Sequence, residues 1–264
     1  MVQRIEGAFA TLGSRFADAG VQLGAGAAKQ AAGSGWATFL GNGSPLTHVV
    51  GADGQLTRQH LQSLEEFFFT RGADAIIEVA DIWQLETWLN SQGYEMAGSE
   101  QVLEADAVRG APQGKVVDCA DRLDDWALAV QLGFGMEPTP SGHLLGRILA
   151  SETALGIVRD GQLAASAGHA VVGDVGYCFA DSTMPAFRGQ GLQQQFIQHR
   201  LWLTAQAGAR YCVAETAPAS GSQRNYIRCG FVPVFLRQTW VKRCARSLET
   251  LSDKLRSAPT LEME

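Results

Sequence analysis

The chain has 264 residues, 46% of them hydrophobic, and a formal net charge of −6. That length gives one large domain or two small ones at about 150 residues each, with apolar content enough for a sizeable core. The negative balance excludes a general binder of nucleic acid or of anionic membrane, both of which need clustered positive charge, but it leaves room for one local anion site. The N-terminal stretch "MVQRIEGAFATLGSRF" scatters charges among its apolar residues. It reads as a leading helix, not as a signal peptide or a membrane span, and no run along the chain reaches about 18 apolar residues. The cysteines, Cys119, Cys178, Cys212, Cys229 and Cys244, are odd in number and show no CxxC spacing. They read as reduced core thiols of a cytoplasmic protein rather than as disulfides or metal ligands.

In chain order, a strand-like "LTHVV" leads into a glycine turn, "GADG" (51–54). Leu61, Leu64, Phe67 and Phe68 then recur at helical spacing behind Thr57, a residue suited to the N-cap. Glu65 and Glu66 read as the solvated side of that helix. Residues 72–94 follow as Gly-Ala, a β-rich segment, a helical segment and Gly93-Tyr94. Gly and Pro cluster in "VRGAPQGK" (108–115), which reads as a boundary. Beyond it "KVVDCA" predicts a strand, and "DDWALAVQLGF" and "GHLLGRILA" predict helices. The stretch from "ALGIV" to "CFADST" predicts a three-strand meander with turns at Asp160-Gly161 and Gly173-Asp174. A two-residue turn at the second site sets His169 opposite Cys178 and points Asp181 to the other face. Next come "RGQG" (188–191), a helix carrying Leu192, Phe196 and Leu203, and residues 208–231, which again run Gly-Ala, strand, helix, Gly-aromatic. The offset from Gly54 to Gly191 equals that from Gly93 to Gly230. The pattern reads as two copies of one α/β unit, 1–112 and 113–243, followed by a tail, 244–264, that forms a short helix and a frayed end.

The two turns differ in chemistry. A helix start leaves N–H groups unpaired and partly positive, and a glycine turn ahead of it lets several of them converge on one anion. Gly189 and Gly191 allow that approach, and Arg188 adds a permanent charge. The first copy has Gly51 and Ala52 in place of Arg188 and Gly189, and it places Asp53 in mid-turn, where a carboxylate repels phosphate and caps the free amides itself. Only the second copy is therefore expected to bind an anionic cofactor. Neither GK[ST] nor GxGxxG is present, so this is neither a nucleotide P-loop nor the dinucleotide fingerprint.

The motifs "FRGQGLQ", "GARYCVAET" and "SQRNYIRCGF" together resemble the GCN5-related N-acetyltransferase family, whose signature R/Q-x-x-G-x-G/A opens the helix after its fourth strand. Arg188 and Gly191 match it, while Gln193 stands at the last position. The resemblance covers 115–243 well and extends to 36–105 as a degenerate copy, so the fold class it implies is α/β, with two such acyl-CoA acyltransferase units in tandem. It implies acetyl-CoA as co-substrate, with pantetheine between splayed fourth and fifth strands on backbone around Ser182 and Thr183. The pyrophosphate then meets Arg188, Gly189, Gln190, Gly191, Leu192 and Gln193. The family's tyrosine, four residues before a late Gly-Phe, is Tyr226, which the resemblance nominates to protonate the departing thiolate. Ala219 replaces an asparagine usual seven residues before it, with Ser222 or Asn225 as substitutes.

A base must also take the proton of the attacking amine. Glu215, at the end of the fifth strand, is the best placed carboxylate, with Asp181 and His169 as alternatives. His199 reads as a core histidine on the helix's apolar face, and Trp83, Trp88, Trp126 and Trp202 read as core packing. No His/Cys/carboxylate cluster suggests a metal. The function expected is N-acetylation of a small-molecule amine, against a CoA-holding regulatory module or a protein acetylase. Neither nucleic acid nor membrane is expected as a partner, and the oligomeric state is left open.

Overall fold

The computed structural model describes residues 1–112 and 114–245. The first half contains α1 (Val2–Gln22), β1 (Ala28–Ala32), β2 (Gly35–Phe39), β3 (His48–Val50), α2 (Arg58–Phe69), β4 (Ala75–Ala80), α3 (Glu86–Ser91) and β5 (Glu95–Asp106). The second contains β6 (Val117–Asp118), α4 (Leu123–Gly133), α5 (Pro140–Leu149), β7 (Thr153–Arg159), β8 (Gln162–Val172), β9 (Val175–Thr183), α6 (Leu192–Gln206), β10 (Tyr211–Thr216), α7 (Gly221–Arg228) and β11 (Val232–Lys242). The succession of three strands, helix, strand, helix, strand occurs twice. The expected C-terminal tail, 244–264, lies outside the described residues apart from 244 and 245.

All the strands join one sheet in the order β1-β2-β3-β4-β11-β5-β10-β9-β8-β7-β6. Most neighbours are antiparallel. The parallel pairs, β3 with β4 and β9 with β10, are the two joined through α2 and α6, because a parallel pair needs a crossover. The last strand of each half leaves its own half. β5 pairs with β10, β11 pairs with β4, and the two lie antiparallel to each other at the sheet's centre.

Two layers of helix cover the sheet. α2 and α3 bury Leu61, Leu64, Phe68 and Leu89 on one face, and α6 and α7 bury Ile197, Leu201 and Tyr226 there too. The opposite face carries α1, α4 and α5. Ile5, Phe9, Leu12 and Phe16 form the buried stripe of α1, at the spacing an amphipathic helix requires.

The predicted meander is β7–β8–β9. Its turns are the two anticipated: Arg159 pairs with Gln162 and Val172 with Val175. Asp160 and Gly161 sit at φ 51° and 79°, the left-handed pair that suits a two-residue hairpin. The "KVVDCA" segment is shorter than expected, since only Val117–Asp118 pairs, at the sheet's edge. Trp126 is fully buried and its Nε1 donates to Leu155 O at 2.9 Å, while Trp83 and Trp88 pack against the first half's core.

Candidate active site

Backbone geometry builds the entrance to α6. Pro185–Phe187 make one turn of 3-10 helix, and Gly189 and Gly191 follow at φ 78° and 71°, where a residue with a Cβ is strained. Gly191 is the N-cap, and no side chain caps the helix. Its first amides therefore keep their partial positive charge. Leu192 pins the entrance to the sheet by burial beside Phe196 and Ala165. Gln190 is exposed at the tip, and a Cβ built on Gly189 meets nothing within 4 Å, so the outer side is open. Arg188 donates from Nη2 to Gly133 O at 3.0 Å and from Nε to Thr183 O at 3.3 Å, bracing the turn against the end of α4.

The corresponding turn of the first half is closed. Gly51, at φ 73°, lies under α1, where an added Cβ would come within 2.5 Å of Ala10 Cβ and 2.7 Å of Glu6 O. Asp53 Oδ1 accepts from Gln55 N at 2.9 Å. The helix itself is capped separately: Thr57 Oγ1 accepts from His60 N, and the His60 ring accepts from Thr57 N. The amides expected to be blocked by Asp53 are thus satisfied, but by Asp53 and Thr57 together, with α1 sealing the turn.

β9 and β10 stay paired only from Val175–Tyr211 to Cys178–Ala214 and then diverge. At the divergence β9 bulges. Gly168 pairs with Phe179 and Ser166 with Ser182, so Ala180 and Asp181 together oppose Ala167, with Ala180 at φ 53°. The extra residue reverses the alternation of faces. Asp181 therefore points toward α6 and α7, the side that His169 also faces, and not to the opposite side as the uninterrupted strand implied. Its carboxylate accepts from Arg200 Nη2 at 3.0 Å, Tyr226 Oη at 2.7 Å and Gln193 Nε2 at 3.0 Å.

Arg200 is fully buried, donates also to Gly168 O and to Tyr226 Oη, and leaves its Nε without a partner. Burial, ahead of the neighbouring charges, pushes the Tyr226 phenol well above its ordinary 10, so it stays protonated. Gln193 also donates to Ser222 Oγ at 2.7 Å and accepts from Asn225 Nδ2 at 2.8 Å, tying the starts of α6 and α7 together. A cleft of about 150 Å³ remains, lined by Asp181, Ser182, Thr183, Gln193, Phe196 and Ser222. The Ser182 hydroxyl turns away from it toward Ser166 and Ala129 O, so only its backbone can serve the cleft.

Glu215 lies on the other face of β10. Its Oε2 accepts from Tyr177 Oη at 2.7 Å, and Arg237 pairs with its Oε1 while reaching Glu6 Oε1 at 2.8 Å. Burial raises the Glu215 carboxyl to about 7, against the lowering effect of Arg237. Beside them His48 pairs with Glu78 at 3.1 Å. Burial opposes charge on that histidine, but Glu78 outweighs it and raises the imidazole. His169 is different. It is buried against Thr204 Oγ1 at 3.0 Å and held to about 3 by burial and then by Arg200, so it is a neutral core residue. His199 does not sit on the apolar face as expected. It is partly exposed beside Trp202, while the buried face of α6 runs through Phe196, Ile197, Arg200 and Leu201.

Solved structures are similar to this arrangement. A GCN5-related N-acetyltransferase from Kribbella flavida has a TM-score of 0.59 and 18% identity over 87% of this chain and 95% of that one. One from Sphaerobacter thermophilus has a TM-score of 0.51 and 17% identity, over 70% of this chain and 66% of that one. A tandem protein of the same class from the clavulanic acid biosynthesis pathway has a TM-score of 0.53 and 14% identity, over 80% and 82%. The chain has the GCN5-related N-acetyltransferase fold. No family model matches the sequence, and no curated protein matches it.

In this acetyltransferase fold Arg188, Gly189, Gln190, Gly191 and Leu192 make the α6 entrance. Thr183, Gln193, Ser222, Asn225 and Tyr226 gather at the β9–β10 cleft. Glu215 stands across β10 from Tyr226, so the two flank the divergence from opposite faces. Sequence reasoning missed Arg200, Arg237, Glu6, Glu78 and Tyr177. Signals existed for two: Arg200 falls at four-residue spacing between Phe196 and Thr204, and Glu78 is a lone charge inside the apolar run "AIIEVA".

Proposed function

We propose that the chain is an acyl-CoA-dependent N-acyltransferase that passes an acetyl group from acetyl-CoA directly to the amine of a small molecule. The observation that carries this reading is the uncapped, two-glycine entrance to α6 opening beside the β9–β10 divergence. Those residues fit the coenzyme: open space outside Gly189, unpaired amides for a diphosphate, and strand backbone at Ser182 and Thr183 facing a cleft. The chain's two halves are read as copies of one unit, with the site in 113–243 and the first copy's cradle lost. The free thiols fit a reducing, cytoplasmic setting.

When bound, acetyl-CoA would supply an activated thioester carbonyl. Glu215 Oε accepts the proton that the amine nitrogen must lose, and its value of about 7 keeps it competent near neutral pH. Arg237 and Tyr177 hold that carboxylate in place. Tyr226 Oη delivers the proton that the leaving sulfur needs, after releasing its bond to Asp181. Arg200 stays bound to Asp181 and holds its carboxylate at the wall of the cleft. Metal chemistry plays no part in this reading.

Calorimetry with coenzyme A, followed by thiol release from acetyl-CoA over an amine panel, tests it. Binding at low micromolar concentration and turnover with at least one amine are expected. Binding without turnover on any amine would leave a CoA-holding module, and absence of heat would remove the reading altogether.

A further inference from the structure

On the α1 face, side chains of like sign cross the centre of the sheet. Glu78 lies on β4, Glu100 on β5 and Glu215 on β10, and β11 between β4 and β5 contributes Arg237, paired in register with Glu100. Thr239, two residues beyond Arg237, pairs with Glu78, so all share one face. Glu6 closes the row from α1 above. Four carboxylates thus face one guanidinium and one histidine, His48.

The excess is not absorbed inside the protein. Glu6 is 2% exposed, yet only its Oε1 is paired; its Oε2 is buried with no partner. Among the described residues no group of His, Cys, Asp and Glu is gathered closely enough to hold a metal ion. The matching ligand is therefore an organic cation with spread charge. The row is reachable from solvent, because Glu100 is exposed and Gly98, paired with Thr239 on the same face, has open space around it.

We propose that this row is the acceptor subsite and that it selects a linear aliphatic polyamine, one nitrogen at Glu215 and a second ammonium held by Glu100 and Glu78. Glu100 is the diagonal neighbour of Glu215 on the adjacent strand, two residues from its partner Val102 and so about 7–8 Å away, a gap that two nitrogens of one chain bridge and a simple monoamine does not. The proposal rests on the acyltransferase reading for its chemistry, but binding can be measured without it.

Calorimetry with spermidine, putrescine and n-propylamine, with no coenzyme present, is the first measurement. Spermidine is expected to bind at least tenfold more tightly than n-propylamine. Glu100→Gln, an exposed change that spares the fold, is expected to weaken spermidine at least fivefold and leave coenzyme A affinity within twofold. Glu78→Gln is expected to act likewise, with thermal melting to show that it has folded. Spermidine binding that is absent, no tighter than n-propylamine, or indifferent to Glu100→Gln overturns the proposal. Turnover on monoamines without preference for spermidine also overturns it and leaves the acyltransferase reading intact. Spermidine binding that depends on Glu100, with no thiol release from acetyl-CoA, supports the cation site and removes the acyltransferase reading instead.

Discussion

A carboxyl group buried against Tyr177 and Arg237 holds its proton up to about pH 7 at position 215. As a base it must be ionised, so kcat/KM is expected to rise with pH through about 7 and level off above it. Glu215→Gln is expected to lower kcat/KM by about 10²–10⁴ and to flatten that limb, read from thiol release between pH 5.5 and 9. The same shift links folding to protons. Between 4.5 and about 7 the folded chain keeps this proton and the unfolded chain does not. The stabilisation is complete below 4.5 and is lost as pH rises through about 7, a change of about 3 kcal/mol seen in denaturant midpoints. A second residue carries strain of another kind. Ala219 sits at φ 58°, a conformation that asparagine tolerates far better than alanine. Ala219→Asn is expected to stabilise the chain by about 1 kcal/mol, raising Tm by roughly 2–4 °C in a melting scan.

Among the elements, the start of α6 separates backbone strain from ligand contact. Gly189 and Gly161 have φ of 78° and 79°, and a Cβ on either meets nothing within 4 Å, but only Gly189 lies at the proposed cradle. Gly189→Ala and Gly161→Ala are each expected to cost about 1–2 kcal/mol in stability. Only Gly189→Ala is expected to raise the Kd for coenzyme A, by more than tenfold in calorimetry, and equal effects on affinity would break the assignment. Turns of this sort were legible in the sequence because their chemistry is local: Asp160-Gly161, Gly173-Asp174 and the glycines before α6 declare themselves by residue type. The orientation of Asp181 was not. Ala180 gives no sign of a bulge, and one added residue in a strand moves everything after it to the other face. β1 was equally hidden, since "AKQAA" has neither alternation nor β-branched residues.

At the scale of the whole molecule, the central pairing of β5 with β11 was illegible. Neither strand was read from local pattern, and which partner each chooses depends on contacts more than a hundred positions away. The exchange makes the halves interdependent. Residues 113–264 alone would lack β5, leaving β10 with an open edge and Leu103, Val102 and Ala105 missing from two core clusters. That fragment is expected to be insoluble or to lack cooperative melting, and co-expression with 1–112 is expected to restore a soluble pair; a stable, cooperatively melting fragment would contradict this.

The crossed strands also bear on how such a gene can change. On the proposed reading, a change at the 51–54 turn leaves β5 in place, whereas excision of residues 1–112 takes that strand from between β10 and β11.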